Sequence, residues 1–300
     1  MDLIRTLADL QRLEPLRRDP RPLVMVPTMG ALHQGHLDLV RRAKELGEVV
    51  VSIFVNPTQF GPGEDYAAYP RDDARDLDLL RPLGTTAVFM PTVDLMYPRE
   101  RGVSILAGSA ADGLCGASRP GHFNGVLTVV AKLFNLVRPD LAVFGRKDAQ
   151  QCLVIEQMVQ DLNMPVRLID HPTVREPDGL AMSSRNVYLK GEARTRALSL
   201  SRALRAGVEA LESGERESAR IESLMATELA SCDTLEYAVA RRVPDLATLD
   251  NLKGRVLLAV AARVEPARLI DNLVVEVSDG TVTETSLLNT PAELDNLEAS

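Results

Sequence analysis

Leu23-Val24-Met25-Val26-Pro27-Thr28-Met29-Gly30-Ala31-Leu32-His33-Gln34-Gly35-His36 is the stretch that decides the fold. Its apolar run, bounded by Pro27, predicts a short buried strand. A turn of small residues follows, then a helix over about residues 34–46. His33 and His36 fall in the first turn of that helix. Unpaired backbone N–H groups and the positive end of the helix dipole favour an anion there. Imidazole N–H groups add donors, and Gly35 removes a Cβ that would block close approach. The pattern describes a phosphate cradle built from imidazoles rather than from a lysine. A pair of purely structural histidines is the bland alternative, and the strand–turn–helix context favours the anion site.

The chain has 300 residues, enough for two domains, with 45% hydrophobic and 25% charged residues, an ordinary globular composition. No apolar run approaches the roughly 18 residues of a membrane span. Met1-Asp2-Leu3-Ile4-Arg5-Thr6 lacks the basic and then apolar character of an export signal, so a cytoplasmic protein without a membrane partner is expected. A net charge of −8 argues against nucleic acid as a partner, because backbone phosphates need a basic face. Cys115, Cys152 and Cys232 are far apart and show neither zinc-site nor disulfide spacing.

Taken in order, residues 3–16 predict an amphipathic helix. Residues 48–55 predict a second buried strand, consistent with a parallel sheet. Such strands deliver ligand contacts at their C-terminal ends, so Asn56-Pro57-Thr58-Gln59 should face the same crevice as the histidines. On sequence alone Asn56 and Gln59 are ordinary turn residues. The acidic stretch 64–78 becomes helical further on, and Asp72, Asp73 and Asp78 are expected on a solvated face. A third strand is expected at 86–90. The polar turn Ser118-Arg119-Pro120-Gly121-His122 precedes a helix at 124–137, and a fourth strand follows at 140–144. At its end Gly145 permits close approach of a ligand, Lys147 offers a point charge for phosphates, and Asp148 can cap a helix or accept from a ribose hydroxyl.

A helix to about residue 162 and a fifth strand at 166–170 complete the sheet. The polar loop 171–186 reads as a mobile lid, with His171 structural. Met182-Ser183-Ser184-Arg185 places two hydroxyls and a guanidinium within four residues, suited to a triphosphate. From Gly191 the composition changes. Helices over 192–211 and 217–229, and strands over 235–240, 255–264 and 268–276, indicate a second, smaller α+β domain. Beyond Ser278 the chain is polar and partial disorder is expected.

The stretch from Pro27 to His36 resembles the signature of the pantoate–β-alanine ligases, members of the nucleotidyltransferase superfamily with a HIGH-type motif. The similarity extends over about residues 20–275, with several motifs in the family's order. It implies an α/β fold with a Rossmann-like parallel sheet in an ATP- and pantoate-binding domain, residues 1–174, and an α+β lid domain, residues 175–300. It also implies a homodimer. The implied reaction joins D-pantoate to β-alanine through a pantoyl adenylate, with ATP and Mg²⁺.

Carried over residue by residue, the resemblance gives ATP contacts at Pro27, Thr28, Met29, Gly30, Ala31, Leu32, His33, Gln34, Gly35 and His36. It adds Gly145, Arg146, Lys147, Asp148, Val174, Met182, Ser183, Ser184 and Arg185, the last four matching the KMSKS-type loop. The catalytic group implied is His33, His36, Lys147, Ser183, Ser184 and Arg185, with the position of His36 described in the family as a proton donor. Gln59 and Gln151 are implied pantoate contacts, and Arg119 and His122 bind substrate or order a flexible loop. Arg146 stands where the family has a glutamate and Ala149 where it has an aromatic. In the acidic stretch Arg75 stands where relatives have an aspartate, so only Asp76 aligns as a metal ligand. Mg²⁺ held mainly by ATP phosphates and water is the expectation.

Two other readings share the histidine motif. A simple nucleotidyltransferase would need no second, amine-attack half-reaction. A non-catalytic nucleotide sensor would have lost the histidines or the lysine, and both are present. An aminoacyl-tRNA synthetase is disfavoured by the acidic charge.

Overall fold

The computed structural model describes residues 1–64, 66–98 and 102–288; of the polar tail beyond Ser278, for which partial disorder was expected, residues 279–288 are ordered, with Leu287 and Leu288 buried, and 289–300 lie outside the described residues. The chain forms two compact units: residues 1–145 with 150–171, and residues 146–149 with 172–300.

The first unit is built on a six-stranded sheet in the order β1-β4-β3-β2-β5-β6, parallel throughout. The strands are β1 (Asp2–Ile4), β2 (Leu23–Thr28), β3 (Glu48–Ile53), β4 (Ala87–Phe89), β5 (Leu141–Gly145) and β6 (Arg167–His171). In β3 every residue is buried, and in β2 only Pro27 is not, as expected for strands covered on both faces. Proline is tolerated in β2 because β5 pairs only with Val24 and Met25, so the ladder on that side has ended before Pro27.

The short helices α1 (Glu14–Arg17), α4 (Val93–Met96) and α5 (Cys115–Ser118) lie among longer ones: α2 (Gln34–Leu46), α3 (Asp73–Leu80), α6 (His122–Val137) and α7 (Ala149–Asp161). The helix α2 buries Leu37, Leu39, Val40 and Ala43 in one cluster with Val24, Val26, Val49 and Val51 of the sheet. That packing fixes the histidine-bearing end of α2 beside the C-terminal end of β2.

The N-terminus differs from expectation. Residues 2–4 form the edge strand β1, because Asp2 N–H donates to the Thr86 carbonyl at 2.8 Å and the Ile4 carbonyl accepts from Met90 N–H at 2.8 Å. The predicted helix shrinks to a 3₁₀ turn at Asp9–Leu13 and α1, begun by a Thr6–Asp9 exchange of side-chain to backbone hydrogen bonds. The leucine spacing fits a helix, but an open sheet edge claims Ile4, which is fully buried.

The second unit has an antiparallel sheet in the order β10-β9-β8-β7. Its strands are β7 (Thr234–Arg242), β8 (Gly254–Val264), β9 (Ala267–Ser278) and β10 (Thr281–Glu284). Helices α8 (Glu192–Ala197), α9 (Ser199–Glu212) and α10 (Ser218–Glu228) pack Leu200, Leu204, Leu211, Ile221 and Met225 with Val256, Leu258, Val260 and Val275 of the sheet. The predicted helix 192–211 divides at Leu198 into α8 and α9. Strand β10 was not foreseen; its Thr281–Glu284 run is polar and lies at a sheet edge.

Candidate active site

The turn after β2 is held from below. Thr28 Oγ1 donates to the Ser52 carbonyl at 2.7 Å and accepts from Gly30 N–H at 3.3 Å. Gly30 (φ +79°) and Ala31 (φ +51°) are both left-handed. Glycine suits the first, where a Cβ would also meet Asp76 Oδ2 at 3.0 Å. Ala31 is an alanine held in a conformation that L-residues disfavour, so its surroundings must enforce it. They do: Asp76 Oδ2 accepts from Ala31 N–H and Asp76 Oδ1 from Leu32 N–H, each at 2.8 Å. Arg75 Nη1 donates to the Leu32 carbonyl at 3.2 Å. Asp76 is buried; burial pushes its carboxyl above the usual range, against the opposing pull of the Leu32 and Ala31 N–H groups.

His33 is the N-cap of α2, in extended conformation, and His36 is the third helical residue. The His33 N–H donates to His36 Nδ1 at 3.4 Å, and the rings stand 4.0 Å apart between centroids with a 31° tilt. An accepting Nδ1 assigns the proton of neutral His36 to Nε2, which makes Nε2 a donor. Both imidazoles are half-buried, and Gln34 is exposed, bonded to Asp38 at 2.9 Å.

Gln59, in the 3₁₀ turn Pro57–Gln59 after β3, is buried. Its Oε1 accepts from Asn56 Nδ2 at 3.0 Å, and its Nε2 points at Met29 Sδ at 3.2 Å, so the turns after β2 and β3 meet as their strand order requires. Asn56, an ordinary turn residue by sequence, is a buried hub. Its Nδ2 donates to the Gly125 carbonyl at 3.1 Å and its Oδ1 accepts from Tyr97 OH at 2.9 Å.

The bonds of Arg119 and His122 fix the Gln59 backbone. His122 Nδ1 donates to the Gln59 carbonyl at 2.8 Å, and its Nε2 accepts from Arg119 Nη1 at 3.0 Å. Arg119 in turn grips Glu64 with Nε at 2.8 Å and Nη2 at 2.6 Å. That guanidinium holds the Glu64 carboxyl down at about 2. Gln151 is half-buried in the first turn of α7, while its neighbour Gln150 braces the carbonyls of Ala110 (2.9 Å) and Gly113 (2.8 Å).

In the second unit Arg146 is buried and pairs with Glu284 of β10 at 3.5 Å; Lys147 is half-buried and Asp148 exposed. The polar loop 171–186, read as a mobile lid, contains a bonded hairpin. Met182 N–H donates to the Val174 carbonyl at 2.9 Å, Arg175 and Ala181 form an antiparallel bridge, and Gly179 (φ +94°) closes the turn. Arg194 of α8 pins that turn through Glu176 at 2.6 Å and Asp178 at 2.7 Å. Ser183 Oγ accepts from Arg185 N–H at 3.3 Å and starts the 3₁₀ turn Ser184–Tyr188. Met182, Ser183, Ser184 and Arg185 are all half-buried.

Sequence reasoning missed the braces: Asp76 as the carboxylate under the motif, Asn56 as a hub, and Asn272 of β9, whose Nδ2 donates to the carbonyls of Arg146 at 3.0 Å and Lys147 at 2.8 Å. Only Asp76 had a signal, being the acidic residue that stayed aligned. Among the described residues no three His, Cys, Asp or Glu side chains gather as a metal site, and no helix is long and apolar enough to cross a membrane.

The family model described as pantoate–β-alanine ligase matches residues 2–274. A pantothenate synthetase of Moorella thermoacetica is 50% identical over 283 residues, covering 93% of this chain and 100% of the relative. The crystal structure of pantothenate synthetase from Thermus thermophilus superposes with a TM-score of 0.86 at 44% identity, covering 93% of this chain and 100% of that one. The pantoate–β-alanine ligase of Francisella tularensis, complexed with β-γ ATP and β-alanine, gives 0.74 at 32% identity over 91% of this chain and 97% of its own. With the histidine-capped helix, the braced turns and these matches in agreement, the chain belongs to the pantoate–β-alanine ligase family.

Proposed function

We propose that this protein condenses D-pantoate with β-alanine in two steps. A pantoate carboxylate oxygen attacks the α-phosphorus of ATP, the bond to pyrophosphate breaks, and pantoyl adenylate forms. The β-alanine amine then attacks the acyl carbon, AMP leaves, and the amine loses a proton to give the amide. An acyl adenylate hydrolyses readily, so the enzyme must retain it until the amine arrives.

The observation that carries this reading is the His33–His36 arrangement, which makes a neutral imidazole Nε2–H a donor at the positive end of α2. We assign His36 and His33 to stabilising charge on the phosphates as pyrophosphate leaves, with Lys147, Ser183, Ser184 and Arg185 sharing that charge. The turn from Pro27 to Gly35 lies along the nucleotide, as do Gly145, Arg146, Asp148, Val174 and Met182. Gln59 and Gln151 bind pantoate, and Arg119 and His122 hold Gln59 in place. We assign ATP and pantoate binding to a domain of residues 1–174 and a lid role to residues 175–300. Asp76 is buried and each of its oxygens braces a backbone N–H group, so we assign Mg²⁺ to the phosphate oxygens of ATP and to water. The working form is a cytoplasmic homodimer.

ATP–pyrophosphate exchange tests the reading. Exchange that requires D-pantoate and proceeds without β-alanine supports it, as does AMP release with an amide product when the amine is added. Pyrophosphate release with a retained nucleotidyl product, and no amide, would establish a simple nucleotidyltransferase instead.

A further inference from the structure

Asp271 and Asn272, side by side on β9, are both almost completely buried. Successive side chains of a strand point to opposite faces, so one dipeptide can engage two separate segments. Asp271 takes the hairpin. Its Oδ2 accepts from Arg175 Nη1 at 2.7 Å and its Oδ1 from Arg175 Nη2 at 3.0 Å, while Nη1 also donates to the Gly179 carbonyl at 3.1 Å. Asp271 Oδ1 accepts Asn272 N–H at 2.8 Å as well, so the two residues act as one piece.

Asn272 takes the other segment. Its Nδ2 donates to the carbonyls of Arg146 and Lys147 at 3.0 and 2.8 Å. These carbonyls belong to the peptide groups on either side of the Lys147 Cα, so the two bonds fix both backbone torsions of Lys147 and thereby the direction in which its side chain leaves. The amide orientation follows from chemistry, since the flipped form would set Oδ1 against two carbonyl oxygens. The cost is an Oδ1 that is buried without a hydrogen-bond partner among the described residues. A buried amide whose two donors are both spent on the carbonyls flanking one residue holds that residue in place. Arg175 belongs to the hairpin that leads directly into Ser183, Ser184 and Arg185, and Lys147 is itself assigned to the triphosphate.

We propose that Asp271-Asn272 is the positioning pair that orients Lys147 and anchors the hairpin before Ser183 for binding the triphosphate of ATP. The inference rests on the ATP-binding reading above and goes beyond it by naming residues that act without touching nucleotide.

The test is calorimetric titration of the full-length protein with Mg·ATP and, separately, with adenosine, in the absence of pantoate. Asn272→Ala is expected to weaken ATP binding about tenfold and adenosine binding less than twofold. Asn272→Asp, which sets a carboxylate against two carbonyls, is expected to weaken ATP binding further. Because Asn272 acts through Lys147, the double variant N272A/K147A should bind ATP within twofold of K147A alone. Multiplicative losses in the double variant, equal losses for ATP and adenosine, or unchanged ATP affinity in N272A would each overturn the proposal. Should N272A fail to fold, Asn272→Ser keeps a polar side chain that is too short to reach either carbonyl and is expected to give the same ATP-selective loss; an ATP affinity equal to wild type would overturn the proposal equally. A wild-type protein that does not bind ATP would defeat the ATP reading itself, which separates the two failures.

Discussion

The backbone N–H of His33 donates to Nδ1 of His36 at 3.4 Å while the two rings stack at 4.0 Å, so one imidazole caps its own helix and carries its proton on the outer nitrogen. The two halves of the ring can be separated by substitution. In His36→Asn the amide reaches the Nδ1 position but not Nε2, so the cap survives and the phosphate donor is lost. We expect a nearly unchanged Tm with pantoate-dependent exchange about 10²–10³-fold slower, the size of one lost donor to a developing charge. In His36→Gln the donor reach is kept, and a glutamine at the third helical position can still accept from the N-cap N–H, so Tm should change little and exchange should fall less than in the asparagine variant. Normal exchange by the asparagine variant would remove Nε2 from the reaction.

Asp76 braces Ala31 and Leu32 with one oxygen each. Asp76→Asn must present an NH₂ to one of the two backbone donors. A loss of about 1–3 kcal/mol is expected, the usual consequence of a buried donor left unmatched. Denaturant unfolding measures it. Because Ala31 is held at φ +51° by this brace, exchange activity should fall together with stability.

Glu64 gives an acid-side signature. Its carboxyl lies at about 2 against an ordinary 4.5, chiefly through its hydrogen bonds with Arg119. A lowered folded-state pKa contributes stability above the ordinary value, and that contribution is lost as pH falls from about 4.5 to 2. Glu64→Gln should therefore lower Tm at pH 7, and its difference from wild type should shrink across that window. A Tm difference that stayed constant from neutral pH to pH 2 would show that the Arg119 contact contributes nothing. At neutral pH the same variant should raise KM for pantoate more than KM for ATP, since Arg119 and His122 hold Gln59.

Gly125 of α6 has no room for a side chain. A Cβ there would lie 2.2 Å from the Thr58 carbonyl oxygen and 2.7 Å from Gln59 Cα, both backbone atoms. Gly125→Ala must push the turn after β3 away from α6, costing about 1–3 kcal/mol and raising KM for pantoate. Gly113→Ala, where nothing lies within 4 Å of the added carbon, serves as the control and should change stability by less than about 0.5 kcal/mol.

The sequence determined by itself what depends on local pattern. Valine-rich runs made β2 and β3 legible, apolar spacing placed α2 within its observed bounds, and the order of alternating elements required a parallel sheet whose strand ends bring Met29 and Gln59 together. The motif residues were legible for the same reason, since they occupy the turns such a sheet directs at its ligand. Tertiary structure alone decided what depends on residues distant in sequence. Ile4 left a helical pattern for the sheet edge because β4 offered unpaired backbone groups, and the 174–182 stretch became a hairpin through pairing that no composition reveals. The braces belong here too. Asp76 meets Ala31 from 45 positions away and Asn272 meets Lys147 from 125, and a lone carboxylate or amide in a sequence does not say which distant backbone it will hold.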